Sequence, residues 1–304
     1  MKYVVKKVIK GNKYYYLQFE NHSKSLGTAL PDDIKKQLLE FFRAVGVKKS
    51  GNLPADVVKL FPFKNLQRLE EAHYWYLCVS KNELFEAKYK DMMLWFAILF
   101  TYNSNRAEGS KVTRPEIEKF ASSTIKKPKT RTDREIFNSF RALEYAFSNN
   151  MRWNLKNIRK IHELLLEDLD DPLIVGKWKN ENNTAPGNQT TTRYASVPAE
   201  MKQLMKWLLK QMKSKPYPPI LALQLYLRFE KIHPFLDGNG RVGRILLNGI
   251  LHKYNYMPTV FFNGNHKAHC EAIKQALEGR NKKLYKHFIE QTDKTYLALA
   301  PRVK

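Results

Sequence analysis

The chain has 304 residues, 43% of them hydrophobic, and its 53 Lys and Arg against 29 Asp and Glu leave a net charge of +24. This is a globular composition rather than a disordered one. The two cysteines exclude a disulfide framework and suit a reducing, cytoplasmic setting.

The longest apolar run, Met92 to Phe100, is far short of the roughly 20 residues of a membrane span, so no membrane partner is expected. The N-terminus has no apolar signal core. The positive charge keeps nucleic acid open as a partner, but no zinc-finger spacing, RNP sequence or helix-turn-helix favours one. The lysines are spread along the chain and read as a solvated surface.

In chain order, Tyr3 to Ile9 and Tyr14 to Glu20 alternate in polarity around Gly11-Asn12, which predicts a β-hairpin. Pro31 to Val45 predicts a helix with Asp32 and Asp33 in its first turn and Gly46 as its stop. Together these form a small N-terminal extension, residues 1–60, ahead of a helical domain, 61–304. In that domain the spacing predicts helices over Leu66 to Ser80, Asn82 to Tyr102, Arg114 to Ser122, Thr132 to Ser148 and Asn154 to Leu169, with caps at Thr113 and Asn154. The acidic run Glu167 to Asp171 lies before Pro172 and reads as a solvated turn. His162-Glu163 lacks the second His of a zincin motif.

Val175 to Val197 has strand-like ends and a middle rich in Asn, Thr, Gly and Pro, a hairpin with a long loop. Ala199 to Met212 is an amphipathic helix. Pro218 to Lys231 follows as a buried helix with a Pro pair at its start, and Arg241 to Lys253 as another. Asn265 to Leu277 and Leu284 to Leu299 close the chain.

Between the two buried helices stands IHPFLDGNGRVGR, Ile232 to Arg244. Gly238 and Gly240 allow consecutive N–H groups to turn inward, and the helix that follows adds its unpaired amides and positive dipole end. Arg241 and Arg244 share one face, and their forks match phosphate oxygens. Asp237 beside such a nest calls for a bridging hard cation, and Mg²⁺ prefers one carboxylate with phosphate oxygens and water. His233 suits a general base near neutral pH. Nucleotide, Mg²⁺ and base together point to phosphoryl or nucleotidyl transfer. The embedded G-x-G-x-x-G is not a dinucleotide fingerprint, because a helix precedes it where a strand is needed.

HPFLDGNGRVGR resembles the signature of the Fic (filamentation induced by cAMP) family, HxFx(D/E)GNGRxxR, at every defined position. The resemblance covers roughly Leu84 to Leu299 and implies a mainly α fold, a helical bundle with a β-hairpin flap. It implies transfer of AMP from ATP to a Ser, Thr or Tyr hydroxyl of a protein. In these terms His233 deprotonates the hydroxyl, Phe235 anchors the loop, Asp237 holds Mg²⁺, Gly238, Asn239 and Gly240 cradle the phosphates, and Arg241 and Arg244 bind the β and γ groups.

Ser104 to Gly109, SNRAEG, resembles the family's inhibitory motif (S/T)xxxE(G/N), placed N-terminal to the catalytic core. By it Ser104, Glu108 and Gly109 form a restraint in which Glu108 pairs with Arg244. The flap then has Gly176, Lys177 and Trp178 on its first strand and Tyr194, Ala195 and Ser196 on its second, docking the target segment as an added strand. Thr190, Thr191, Thr192 and Tyr194 offer hydroxyls for self-modification.

The family often contacts adenosine near the turn at Gly279, with an Asn where Leu277 stands here. UMP transfer, phosphocholine transfer, kinase-like transfer and removal of AMP stay open as relatives of the same chemistry. A basic nucleic-acid module with a vestigial site stays open as a different class, and a homo-oligomer is left open as well.

Overall fold

The structure, a computed structural model, describes residues 2–123, 127–148, 151–185 and 189–303. Its contacts group the chain into two compact units. One comprises Met1–Met93, Asn255–Met257 and Thr292–Lys304, the other Leu94–Tyr254 and Pro258–Gln291. The fold is mainly α.

In the first unit β1 (Val4–Ile9), β2 (Asn12–Phe19) and β3 (His22–Gly27) form an antiparallel sheet in that order. Lys10 and Gly11, both at positive φ (49° and 82°), join β1 to β2, the backbone that a two-residue hairpin turn requires. The expected hairpin is therefore a three-stranded sheet. The third strand, HSKSLG, has no apolar alternation and owes its extension to pairing with β2, Leu17 opposite Lys24.

α1 (Ile34–Ser50) runs past its expected end at Val45, because Gly46 is a packing site and not a stop. A Cβ there would lie 2.5 Å from the Glu70 carbonyl oxygen, so glycine lets α1 approach α3 (Phe63–Lys81), with the short α2 (Ala55–Val58) between them in sequence. Leu17, Leu38, Phe42 and Leu66 are fully buried in this unit's core.

α4 (Glu86–Ala107) enters the second unit at residue 94. There follow α5 (Arg114–Ser122), α6 (Arg131–Phe147), α7 (Leu155–Leu166), the two-residue strands β4 (Thr184–Ala185) and β5 (Gln189–Thr190), and α8 (Val197–Lys213). α9 (Pro218–Ile232), α10 (Asn239–Lys253), α11 (His266–Leu277) and α12 (Lys282–Leu299), the last within this unit to residue 291, complete it.

Both expected caps are present. Thr113 and Glu116 cap each other reciprocally, and Asn154 accepts the Asn157 N–H at 2.9 Å. α9 and α10 pack together, burying Leu221, Leu225 and Phe229 on one and Val242, Ile245, Leu246 and Ile250 on the other. The motif loop is the connection between these two core helices.

Candidate active site

α9 ends at His233, a left-handed residue (φ 50°, ψ 62°) whose N–H still bonds Phe229 O at 2.8 Å. Pro234 cannot continue the helix. Phe235 is fully buried and lies flat on His162, with ring centroids 3.8 Å apart, and Trp178 packs on it at 5.1 Å. It anchors the loop.

Asn239 closes the loop. Its Oδ1 accepts Phe235 N–H at 2.9 Å and its Nδ2 donates to Phe235 O at 2.8 Å. The side chain of Asn239 is thus engaged with Phe235, and its backbone N–H is one of the amides at the start of α10. Gly238 (φ 74°) starts α10, whose first intrahelical bond is Val242 N–H to Gly238 O. The amides before Val242 have no intrahelical acceptor, the arrangement that suits an anion at a helix N-terminus.

Both motif arginines hold carboxylates. Arg241 donates to Asp237 Oδ2 at 2.7 Å. Arg244, 4% exposed, donates from Nε to Ser104 Oγ (3.0 Å) and from one terminal nitrogen to Ser104 O (3.1 Å) and Glu108 Oε1 (2.6 Å). Burial by itself would raise the Glu108 pKa. The charge and hydrogen bond of Arg244, with smaller help from Arg241 and His266, overcome that and hold it below the ordinary value.

Glu108 sits where α4 ends, and Gly109 (φ 86°) supplies the left-handed turn. Ser104 and Glu108 both bond Arg244, and Gly109 turns the chain after them. A Cβ on Gly240 would collide with Glu108 Oε1, so the second motif glycine is what leaves that carboxylate room.

These groups surround a cavity of about 370 Å³. His233, Glu230 and Tyr226 line it from α9, Asp237 to Gly240 and Arg244 from the motif, Glu108 from α4, Thr184 and Ala185 from β4, and His266, His269, Cys270 and Ile273 from α11. The Gly279 turn does not reach it. Leu277 and Gly279 line a different cavity with Gln224 and Arg228. α11 contributes a wall that the sequence signals only by the i, i+3, i+4 spacing of His266, His269 and Cys270.

The flap differs from its expected form. Gly176 (φ 70°) sits in a turn, its N–H donated to His162 Nδ1 at 2.9 Å and its carbonyl accepting from Arg159 Nε at 2.6 Å. Lys177 bonds back to Ile174 O, and Trp178 backs Phe235. Tyr194, Ala195 and Ser196 form a single 3-10 turn leading into α8. The paired strands are β4 and β5 alone, and residues 186–188 between them lie outside the described residues. Of the ends expected as strands, the first backs the motif loop through Trp178, and the second is a turn whose Tyr194 N–H bonds Asn182 Oδ1 at 3.1 Å.

Two supports went unread in the sequence. His162, 1% exposed, accepts at Nδ1 from Gly176, so Nε2 donates to Asp237 O at 3.1 Å, a neutral imidazole of fixed tautomer. Burial, aided by Arg241, pushes its pKa down to about 4. Lys179, 3% exposed, donates to Asn183 Oδ1 (2.6 Å), Thr191 Oγ1 (2.8 Å) and Ile232 O (3.4 Å). Burial lowers its pKa to about 8.

Residues 152–251 match the model of the Fic/DOC family. Protein adenylyltransferase Fic of Drosophila ananassae is 26% identical over 164 residues, 53% of this chain and 33% of that protein. That of Drosophila persimilis is 25% identical over 164 residues, 53% and 32%. The chain thus spans about a third of the length of these curated relatives.

Among solved structures, a Fic domain containing signaling protein from Bacteroides thetaiotaomicron superposes with a TM-score of 0.67 at 21% identity, over 77% of this chain and 96% of that one. A fragment of Fic-1 from C. elegans gives 0.66 at 17% identity, over 88% and 84%. These two show the fold. The complete motif thus lies inside the segment that matches the Fic/DOC family, residues 152–251, on a fold shared with Fic domain structures.

Proposed function

We propose that the protein transfers AMP from Mg²⁺-ATP to a hydroxyl side chain of a protein and that Glu108 restrains it. The observation that carries the reading is the convergence on one cavity of His233, the amide end of α10 and Arg244. The names of the Drosophila relatives point the same way.

His233 takes the proton of the target hydroxyl as its oxygen bonds to the α-phosphorus. The bond from that phosphorus to the β-phosphate oxygen breaks, and pyrophosphate leaves. The α10 amides and both arginines stabilise the charge on the leaving group. Asp237 fits Mg²⁺: its carboxylate is 57% exposed at the cavity, single, and suited to a cation that takes its other ligands from phosphate and water. The ion when bound would neutralise phosphate charge that Asp237 would otherwise repel.

Glu108 occupies the Arg244 guanidinium that a γ-phosphate needs, so a bidentate-capable pair is the restraint. The intact Gly240, where kinase-like relatives implied by the resemblance carry Lys, supports nucleotide transfer.

The test is transfer of label from α-labelled ATP with Mg²⁺ by wild type, Glu108→Gly and Glu108→Gly with His233→Ala. Label on protein rises in the first variant and falls by roughly 10²–10⁴-fold in the second. Unchanged turnover and unchanged ATP binding in Glu108→Gly would remove the restraint from the reading. Label from γ-labelled ATP alone would replace adenylyl with phosphoryl transfer.

A further inference from the structure

One charged group on the cavity wall has no task in that reaction. Glu230, three residues before His233 at the end of α9, is 1% exposed, and neither of its carboxylate oxygens has a hydrogen-bond partner among the described residues. Its Oε2 lies 3.4 Å from His233 Nδ1, which is buried and likewise without a hydrogen bond. The seat is built for it. A Cβ on Gly243 would come within 2.8 Å of both Glu230 Oε1 and the Tyr226 ring, so glycine in α10 is what makes room. A carboxylate removed from water without a partner is unfavourable, and spacing i, i+3 sets these two side chains side by side.

We propose that Glu230 is a positioning residue for His233. Its carboxylate accepts the Nδ1 proton and fixes the tautomer whose Nε2 lone pair serves as the base. It then stabilises the imidazolium that forms when the target hydroxyl gives up its proton. In this step the O–H bond breaks and an Nε2–H bond forms, while the hydroxyl oxygen bonds to the α-phosphorus and the bond from that phosphorus to the β-phosphate oxygen breaks, releasing pyrophosphate. The 3.4 Å contact is longer than a hydrogen bond and tightens as the ring gains charge, as such contacts do when reactants assemble. The proposal rests on His233 being the base. The other titratable groups lining the cavity with the pair are Tyr226 on the same helix, Asp237 of the motif loop, Arg244 of α10, Glu108, and His266, His269 and Cys270 of α11.

The experiment uses the full chain in two arms. In the first, ¹⁵N-histidine spectra of wild type, Glu230→Gln and Glu230→Asp are compared, with His233→Ala identifying the resonance. The wild type shows the Nδ1–H tautomer for His233, and Glu230→Gln shifts it. In the second, kcat and KM for ATP are measured across pH in the Glu108→Gly background. Glu230→Gln lowers kcat by about 10²-fold with KM for ATP nearly unchanged, and moves the acidic limb of the profile to lower pH. Glu230→Asp recovers part of both.

A raised KM with unchanged kcat would make Glu230 a nucleotide ligand and overturn the proposal. A His233 resonance indifferent to Glu230 would overturn it as well. Transfer that survives His233→Ala would instead overturn the base reading, leaving the spectra to decide the Glu230 contact by themselves.

Discussion

The motif loop, residues 233–240, and the segment from 175 to 196 meet at Pro234 and Phe235 but are held by opposite means. In the loop the main closure is internal: Asn239 takes both backbone groups of Phe235, four residues away. In the segment, β4 and β5 pair over two residues only, and the order comes from groups reaching out to the loop and to the end of α9. Lys179 bonds Ile232 O through Nζ and Pro234 O through its N–H, Asn183 bonds Phe235 O, and Thr192 N–H bonds Lys231 O. The segment therefore depends on the loop more than the loop depends on it.

The largest expected effect breaks the loop itself. Asn239→Ala leaves the buried Phe235 N–H without a partner, at about 1–3 kcal/mol, and takes one of two donors from the Phe235 carbonyl, which Asn183 still serves, at about 1 kcal/mol. A loss of up to about 4 kcal/mol in denaturant unfolding is expected. Hydrogen exchange should show protection falling in residues 183–185 and 189–192 as well as in the loop. Loss confined to the loop would mean that the segment stands without it.

His162 ties the two regions together, and its effect is set by pH. The unfolded imidazole protonates near 6.5 and the folded one near 4. Stability from this group is full above pH 6.5 and falls as pH drops from 6.5 toward 4, by up to about 3 kcal/mol. His162→Gln should flatten that slope in unfolding measured between those pH values. An unchanged slope would place the acid sensitivity elsewhere.

Lys179→Met keeps the stem and removes the three donors. About 2 kcal/mol of stability should go, with faster exchange in 183–185 and 189–192 and unaltered exchange at Phe235. If Phe235 also loses protection, the dependence runs both ways. Thr191→Val, which removes one acceptor of Lys179 and one donor to Asn183 O (2.7 Å), sharpens the comparison least, at about 1 kcal/mol.

The same contrast explains what could be read from the sequence. The motif was legible because its partners lie within a dozen consecutive residues, and the caps at Thr113 and Asn154 because capping acts over three. Gly46 was misread because a helix-stopping glycine and a close-packing glycine are the same letter, and the Glu70 carbonyl that decides between them is 24 positions away. β3 was missed because its extension comes from its neighbour. Gly176 to Trp178 have the composition of a strand, but their partners are His162 and Phe235, which no local periodicity reveals. His162, Lys179 and Glu230 carry no motif, since each is defined by what a distant turn of chain places beside it.

The end of α4 has a consequence for engineering. Gly109 N–H bonds Arg106 O and Ser110 N–H bonds Asn105 O, both at 3.1 Å, the Schellman closure, and the Asn105 side chain is tied to Ser139 of α6. None of these bonds uses the side chain at position 108. Whatever residue is written there inherits a fixed backbone aimed at Arg244, with no duty in ending the helix. A set of substitutions running through Asp, Gln, Ala and Gly at this single codon would therefore act as a graded dial on the guanidinium, read out on an unaltered scaffold.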